Sequence, residues 1–304
     1  MTAPSGAQYH LHLGDQEAVI AGVGASLRVY RAGGDDVVRP YAQTEIAPAF
    51  SGTVLAPWPN RLANGMYKYD GTVYQVPVTE PARATALHGF VAQVRWDTPG
   101  PSDDGTSIEL TCATVPTDGY PWELRLVTSF ALTATGLRAR IVATNASGRP
   151  APYGAGVHPW LSTGGASVDD CTLRVDAARH ITVDNRLLPT GSAPVTGRFD
   201  LRTPQSLAGR AYDDAWTDLV RDADGLSWTL LGRPDGTTVA LWADKSAQAW
   251  QVCTGDGVAR IERSAVAAEP MTCVADAFRT GEHLVRLEPG ASHALTWGLT
   301  LRRP

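Results

Sequence analysis

From Ser107 to Asn145 the chain alternates apolar and polar residues with a period of two. Ile108, Leu110 and Cys112 keep this spacing, then Leu124 and Leu126, then Leu137, Ala139, Ile141 and Ala143. Successive side chains of a strand point to opposite faces, so the spacing describes strands with one buried face. Turn signals at Thr117-Asp118-Gly119 and Thr135-Gly136 cut the stretch into short segments. The pattern returns at Leu226, Trp228 and Leu230, at Val239 and Leu241, at Trp250 and Val252, and from Leu295 to Leu301. No apolar run at helical spacing exceeds a couple of turns, and no period of roughly 20–50 residues recurs. Many short strands separated by Gly, Pro and Asp have one economical solution, a large all-β antiparallel sandwich.

With 304 residues, 43% of them hydrophobic, the chain has ample material for a core. Composition does not break anywhere, so residues 1–304 are expected to form a single domain. The net charge is -5, and Lys68 and Lys245 are the two lysines among scattered arginines. Phosphate backbones require clustered cations, which argues against nucleic acid as a partner. No run of about 18 apolar residues predicts a membrane span. Met1 to His10 has no cationic start followed by an apolar run, so a soluble, cytoplasmic protein is expected. Cys112, Cys171, Cys253 and Cys273 are too far apart for a C-x-x-C site and are expected as reduced, buried thiols.

Several segments carry more than strand pattern. Gly14-Asp15 signals a turn between two strands, and Asp70-Gly71 between aromatic runs signals a hairpin. Gly22-Val23-Gly24-Ala25-Ser26-Leu27 half-resembles a dinucleotide fingerprint, but Leu27 stands in place of the last glycine and strand-like alternation follows. A turn or bulge is the expected structure. In Leu55-Ala56-Pro57-Trp58-Pro59-Asn60-Arg61-Leu62, two prolines bracket a tryptophan, which forbids a helix interior or a central strand. This loop presents Asn60 and Arg61 either to solvent or to a polar site with Trp58 as an apolar platform. His88, in Leu87-His88-Gly89, and His158, in Gly156-Val157-His158-Pro159-Trp160, each follow a strand-like run. Taken alone, each is the mark of a hydrogen-bonded structural histidine. Asp213-Asp214 lies between Tyr212 and Trp216, and Gln251 lies on the face opposite Trp250 and Val252. Glu269 follows an apolar run and precedes Pro270, where a buried carboxylate would need partners.

Taken together and in order, Ala56 to Arg61, Gly65 and Tyr67, Leu87-His88-Gly89, Gly156 to Trp160, Asp213, Gln251 with Thr254-Gly255, and Glu269 resemble the aldose 1-epimerase (galactose mutarotase-like) family. The resemblance runs from about Gly22 to about Leu301. It implies a twisted antiparallel β-sandwich of the supersandwich type, with a sugar site in an open cleft on one sheet. It implies Glu269 as general base, His158 as general acid and His88 beside the ring oxygen. Arg61, Asp213, Gln251 and Asn60 would hold hydroxyls, with Asp213 preferred to its neighbour Asp214. Trp58 or Trp160 would face the C–H side of a pyranose. The better-known galactose mutarotase branch has an asparagine-rich approach to its second histidine and a glutamine two places after its glutamate. Here these stretches read Gly-Val-His-Pro-Trp and Glu-Pro-Met-Thr. Those differences bear on the preferred sugar.

Interconverting anomers requires one base and one acid, each contributing typically about 10²–10⁴-fold. The expected partner is a small-molecule sugar, with no metal, cofactor, nucleic acid or membrane; oligomeric state is not legible. Other readings of the same residues are a hexose 6-phosphate epimerase using Arg61 or Arg83, a non-catalytic sugar-binding protein, and a glycosidase using Glu269 and Asp213. A metal site of His88, His158 and Glu269 is a further one by ligand type.

Overall fold

The computed structural model describes residues 3–304, and they are almost entirely antiparallel β. The alternating stretch that begins at Ser107 forms the strands Ser107–Ala113, Leu124–Thr133 and Gly136–Asn145, paired in succession. These open an eight-stranded sheet that continues through Ser292–Arg302, Thr238–Ala243, Ser227–Gly232, Thr172–Val175 and Gln205–Ser206. A second sheet runs in the order Pro189–Pro194, Ala177–Val183, Asp213–Leu219, Ala249–Cys253, Ala265–Met271, Gly156–Val157, Val54–Leu55. Trp160–Ser162 also pairs with Ala265–Met271. We call this second sheet the cleft sheet.

Trp216, Trp250, Val252 and Ala268 of the cleft sheet share one apolar cluster with Val239, Leu241, Trp297 and Leu299 of the other sheet. The indole of Trp250 donates to Ser227 Oγ at 3.0 Å, a polar contact between the two sheets. A third sheet of Gln8–Leu13, Gln16–Ala21, Ser26–Ala32 and Asp35–Asp36 is tied on by hydrogen bonds from Leu137 N to the Tyr30 hydroxyl and from Gln16 Nε2 to Thr133 O. The expected turns are present. Gly14-Asp15 joins the first two strands, and Asp70 and Gly71, with φ of 46° and 83°, join Met66–Tyr69 to Thr72–Gln75. The Gly22–Ala25 stretch links two strands and opens no helix. Among the described residues the α-helix is one turn, Ala277–Thr280, and no helix is long and apolar enough to cross a membrane. All four cysteines are free; Cys171 and Cys273 are buried as expected, but Cys112 and Cys253 are half-exposed.

Candidate active site

The site is laid out by the register of the cleft sheet. Gln251 is opposite Glu269, and Ala215 is opposite Gln251. On the other side of Ala265–Met271, Trp160 pairs with Ala267 and Gly156 with Met271. Both pairings belong to one register, so His158 falls opposite Glu269. The ladder is interrupted there. Neither Pro159 nor Pro270 has an N–H to give, and the strand bordering Ala265–Met271 splits into Gly156–Val157 and Trp160–Ser162. In the gap His158 turns to the neighbouring loop, donating its N–H to Thr53 O and accepting from Gly52 N. Its ring nitrogen Nε2 comes to 3.3 Å from Glu269 Oε1. Because side chains alternate, Trp250, Val252 and Ala268 fill the core behind while Gln251 and Glu269 line the cleft.

His88 arrives from a loop. It has φ of 61° and Asn60 has φ of 58°, a conformation few non-glycine residues adopt. The two residues hold each other in it. His88 N donates to Asn60 O, and Asn60 N donates to His88 Nδ1 at 3.1 Å. An Nδ1 that accepts an amide N–H places the proton of the neutral ring on Nε2. Gly89 follows because there is no room for a side chain: a Cβ would meet Ala56 O at 2.0 Å. The Phe50 ring packs edge-on against His88 with centroids 4.6 Å apart.

Arg61, next along the chain from Asn60, also lines the cleft. Its Nε and Nη2 donate to the two oxygens of Glu80 at 2.9 and 3.2 Å, and Thr85 Oγ1 donates to the same carboxylate. Bidentate pairs of this kind fix orientation as well as charge. Arg61 Nη2 also lies 3.8 Å from Asp213 Oδ2. Asp213 Oδ1 in turn accepts from Gln251 Nε2 at 2.7 Å. Asp214 points to the other face of the sheet, where it meets His180 at 2.9 Å, so Asp213 is the carboxylate at the cleft.

The cleft encloses about 260 Å³. Burial dominates its electrostatics. It pulls the His158 imidazole from its ordinary 6.5 down to about 4, its own backbone opposing and the Arg61 charge assisting. Burial likewise holds His88 well below the usual range, helped by His158 and Arg61. It pushes the Glu269 carboxyl well above the usual carboxylate range, the Asp213 charge adding and Arg61 opposing. Desolvation and two neighbouring charges thus draw an acid and a base towards each other. Glu269 Oε2 and His158 Nδ1 are buried with no hydrogen-bond partner among the described residues.

The family model for aldose 1-epimerase matches residues 8–300. This chain belongs to the aldose 1-epimerase family. An uncharacterized Escherichia coli K12 protein, YihR, is 34% identical over 300 residues, covering 97% of this chain and 93% of that one. Human galactose mutarotase is 30% identical over 189 residues, covering 59% of this chain and 54% of that enzyme. A galactose mutarotase-like protein from Clostridium acetobutylicum superposes with a TM-score of 0.86 at 18% identity, covering 97% of this chain and 95% of its own. The galactose mutarotase-like fold is therefore the fold of this chain. A C. elegans aldose epimerase homologue gives the same TM-score at 17% identity, covering 98% and 99%.

In this epimerase-family cleft, Asn60, Arg61, His88 and His158 are gathered with Trp160, Asp213, Gln251 and Glu269. Trp58 is the exception. It is 3% exposed, its indole donates to Ala86 O, and its ring packs between Phe90 and Phe278, so it braces the loop from within the core. Phe50, outside the sequence expectations, stands at the cleft instead. Cys253 lines the cleft too, and so does Glu80. The sequence signal for Glu80 is a carboxylate before proline, the same as at Glu269-Pro270, but Glu288-Pro289 shares it and is exposed. Arg83 does not line the cleft; its Nε lies 3.8 Å from Glu80 Oε1. A ring nitrogen of His88, one of His158 and an oxygen of Glu269 lie within 4.8 Å of one another, a ligand set of the kind zinc takes.

Proposed function

We propose that the chain is an aldose 1-epimerase that interconverts the α and β anomers of an aldohexose, the whole chain working as one domain. The observation that carries the reading is the His158–Glu269 pair at 3.3 Å, buried, with the Glu269 carboxyl raised and the His158 imidazole lowered. For ring opening, Glu269 takes the proton of the anomeric hydroxyl and His158 delivers one to the ring oxygen. The C1–O5 bond breaks and C1 becomes the aldehyde carbon. After rotation about C1–C2, the fresh O5 hydroxyl attacks the other face of the aldehyde. Closure reverses the roles: His158 recovers the O5 proton and Glu269 returns one to O1. Each group must therefore serve as both acid and base. Groups of matched affinity do this best, because neither direction of transfer is uphill.

The remaining residues hold the ring. His88, with its proton on Nε2, is a donor for the ring-oxygen side. Arg61, Asp213 and Gln251 form a linked row of planar polar groups suited to vicinal hydroxyls. Trp160, 2% exposed but lining the cleft with its ring 5.6 Å from that of His158, contributes to the apolar wall.

Polarimetry on freshly dissolved α-glucose and α-galactose tests the reading. Wild type should accelerate equilibration of at least one. Glu269→Gln and His158→Asn should each lose about 10²–10⁴-fold in kcat. Glu269→Gln should keep or raise Tm, since it removes a buried carboxylate with an unpartnered oxygen. Near-wild-type rates from either variant would sink the assignment.

A further inference from the structure

Phe50 reaches the cleft on a costly piece of backbone. Ala49 and Phe50 have φ of 44° and 56°, two successive residues with side chains in the region that favours glycine. Such strain persists only where surrounding contacts impose it, and it clusters where exact placement matters. Here the contacts come from both flanks. Trp160 donates its indole N–H to Ala49 O at 3.0 Å. Thr53 donates from its backbone N and its Oγ1 to Phe50 O at 3.0 and 2.9 Å, and Thr53 O accepts from His158 N. The turn is thus fastened to the segment that carries His158.

The strained turn sets the Phe50 ring against His88. Among the described residues Phe50 is the aromatic ring nearest to His88, with centroids 4.6 Å apart and planes inclined by 62°. His158 is next, at 5.4 Å and 79°. The His88 imidazole has one hydrogen bond among the described residues, from Asn60 N to Nδ1. A single bond holds one atom of the ring and leaves the rest free to tilt about it. A ring packed against that imidazole removes the freedom. Phe50 also lines both the catalytic cleft and a neighbouring cavity of about 280 Å³ that His88 shares. A cavity of that size can hold water, and water at Nε2 would compete with the sugar ring oxygen for the Nε2 proton.

Resting on the aldose 1-epimerase reading, we propose that Phe50 is a positioning residue for the reaction. It acts through His88, packing the imidazole so that its Nε2–H stays aimed into the cleft and dry. Placement of this kind acts on the transition state, where an error of about 1 Å can cost as much as 10²-fold. An aromatic ring that only met the substrate would act on KM instead.

The test joins a spectrum of the sugar-free protein to mutarotation kinetics. In imidazole NMR spectra at mildly alkaline pH, with His88→Gln identifying the signal, wild type should show a slowly exchanging His88 Nε2–H. Phe50→Gly, which suits a φ of 56° and so keeps the turn, should lose that signal to exchange with water. Its kcat should fall about 10–100-fold while KM stays within about threefold. Phe50→Ala makes the same truncation at a φ that Ala49 already adopts next to it, and should behave alike. Phe50→Leu, apolar and large enough to cover the imidazole, should keep the signal and restore kcat to within about threefold of wild type. A signal that survives both truncations would overturn the proposal, as would a raised KM with unchanged kcat. Those results leave the epimerase reading standing, whereas no acceleration of any sugar by wild type sinks both.

Discussion

A carboxyl group that is 2% exposed, with one oxygen unpartnered, is costly to keep, at about 1–3 kcal/mol for the missing hydrogen bond. The cost becomes intelligible when Glu269 and His158 are treated as one proton-holding unit. In the proposed reaction the competent unit carries a single proton. Adding a second means charging His158, whose affinity burial has lowered to about 4. Removing the only one means ionising Glu269, which burial and Asp213 oppose. The kcat/KM profile should therefore remain flat as pH falls through 6.5 and decline only near 4. A limb centred at 6.5 would show that a solvated histidine controls the rate. Glu80 provides the second arm. Burial alone would raise its carboxyl, but the Arg61 hydrogen bonds bring it below the usual range, so it is an anion that offsets Arg61. With Glu80→Gln, the Arg61 charge acts on the pair offset by Asp213 but no longer by Glu80, and positive charge favours the deprotonated forms. The alkaline limb should shift to lower pH. KM should rise about 10-fold as Arg61 loses its orientation, with a smaller change in kcat, as expected for a binding contact made equally in ground and transition states. A Glu80 that only stabilised the fold would lower Tm without moving the limb.

At the level of strands and loops, the structure shows where reading a sequence succeeds and where it stops. Parity along a strand tells which side a residue faces, so Gln251 could be set apart from Trp250 and Val252 before any coordinates, and the family pattern supplied Glu269 and His158. Trp58 was misplaced because parity has no meaning between Pro57 and Pro59, where direction follows from the loop's contacts with Phe90 and Phe278. Asp213 and Asp214 are adjacent, and only the register with Ala249–Cys253 separates the cleft face from the His180 face. Glu80 was invisible because its role lies in a contact with Arg61, 19 residues away. The His88 loop is the element most dependent on such contacts. Gly89 has φ of +68° and its missing Cβ would overlap Ala56 O. Gly89→Ala should therefore destabilise by more than about 1 kcal/mol and displace His88, lowering both Tm and kcat. Gly148→Ala, where a Cβ meets nothing within 4 Å and φ is not positive, is the matched control and should change neither. Equal behaviour of the two variants would remove the loop from the mechanism.

Across the whole molecule, the cleft is one face of a sheet whose other face is core, so packing and chemistry share a wall. Trp250 is fully buried, is flanked in sequence by Gln251, and is hydrogen-bonded across to Ser227 on the opposing sheet. Trp297 is also buried, but on the opposing sheet, away from the cleft strands. Emptying either site should cost about 3–5 kcal/mol, since a truncated tryptophan leaves a cavity that close-packed neighbours only partly fill. In a chain of this length that corresponds to a fall in Tm of roughly 5–15 °C for each. The two variants should diverge in catalysis. Relaxation into the Trp250 cavity shifts the strand carrying Gln251 and its partner strand carrying Glu269, and misplacement of about 1 Å can cost as much as 10²-fold. Trp297→Ala leaves those strands packed and should keep kcat/KM within a few-fold when assayed well below its Tm. Equal loss in both variants would mean that global loosening, rather than the floor of the cleft, sets the rate. A selective loss in Trp250→Ala would assign to the sandwich core the task of holding the proton pair at its working separation.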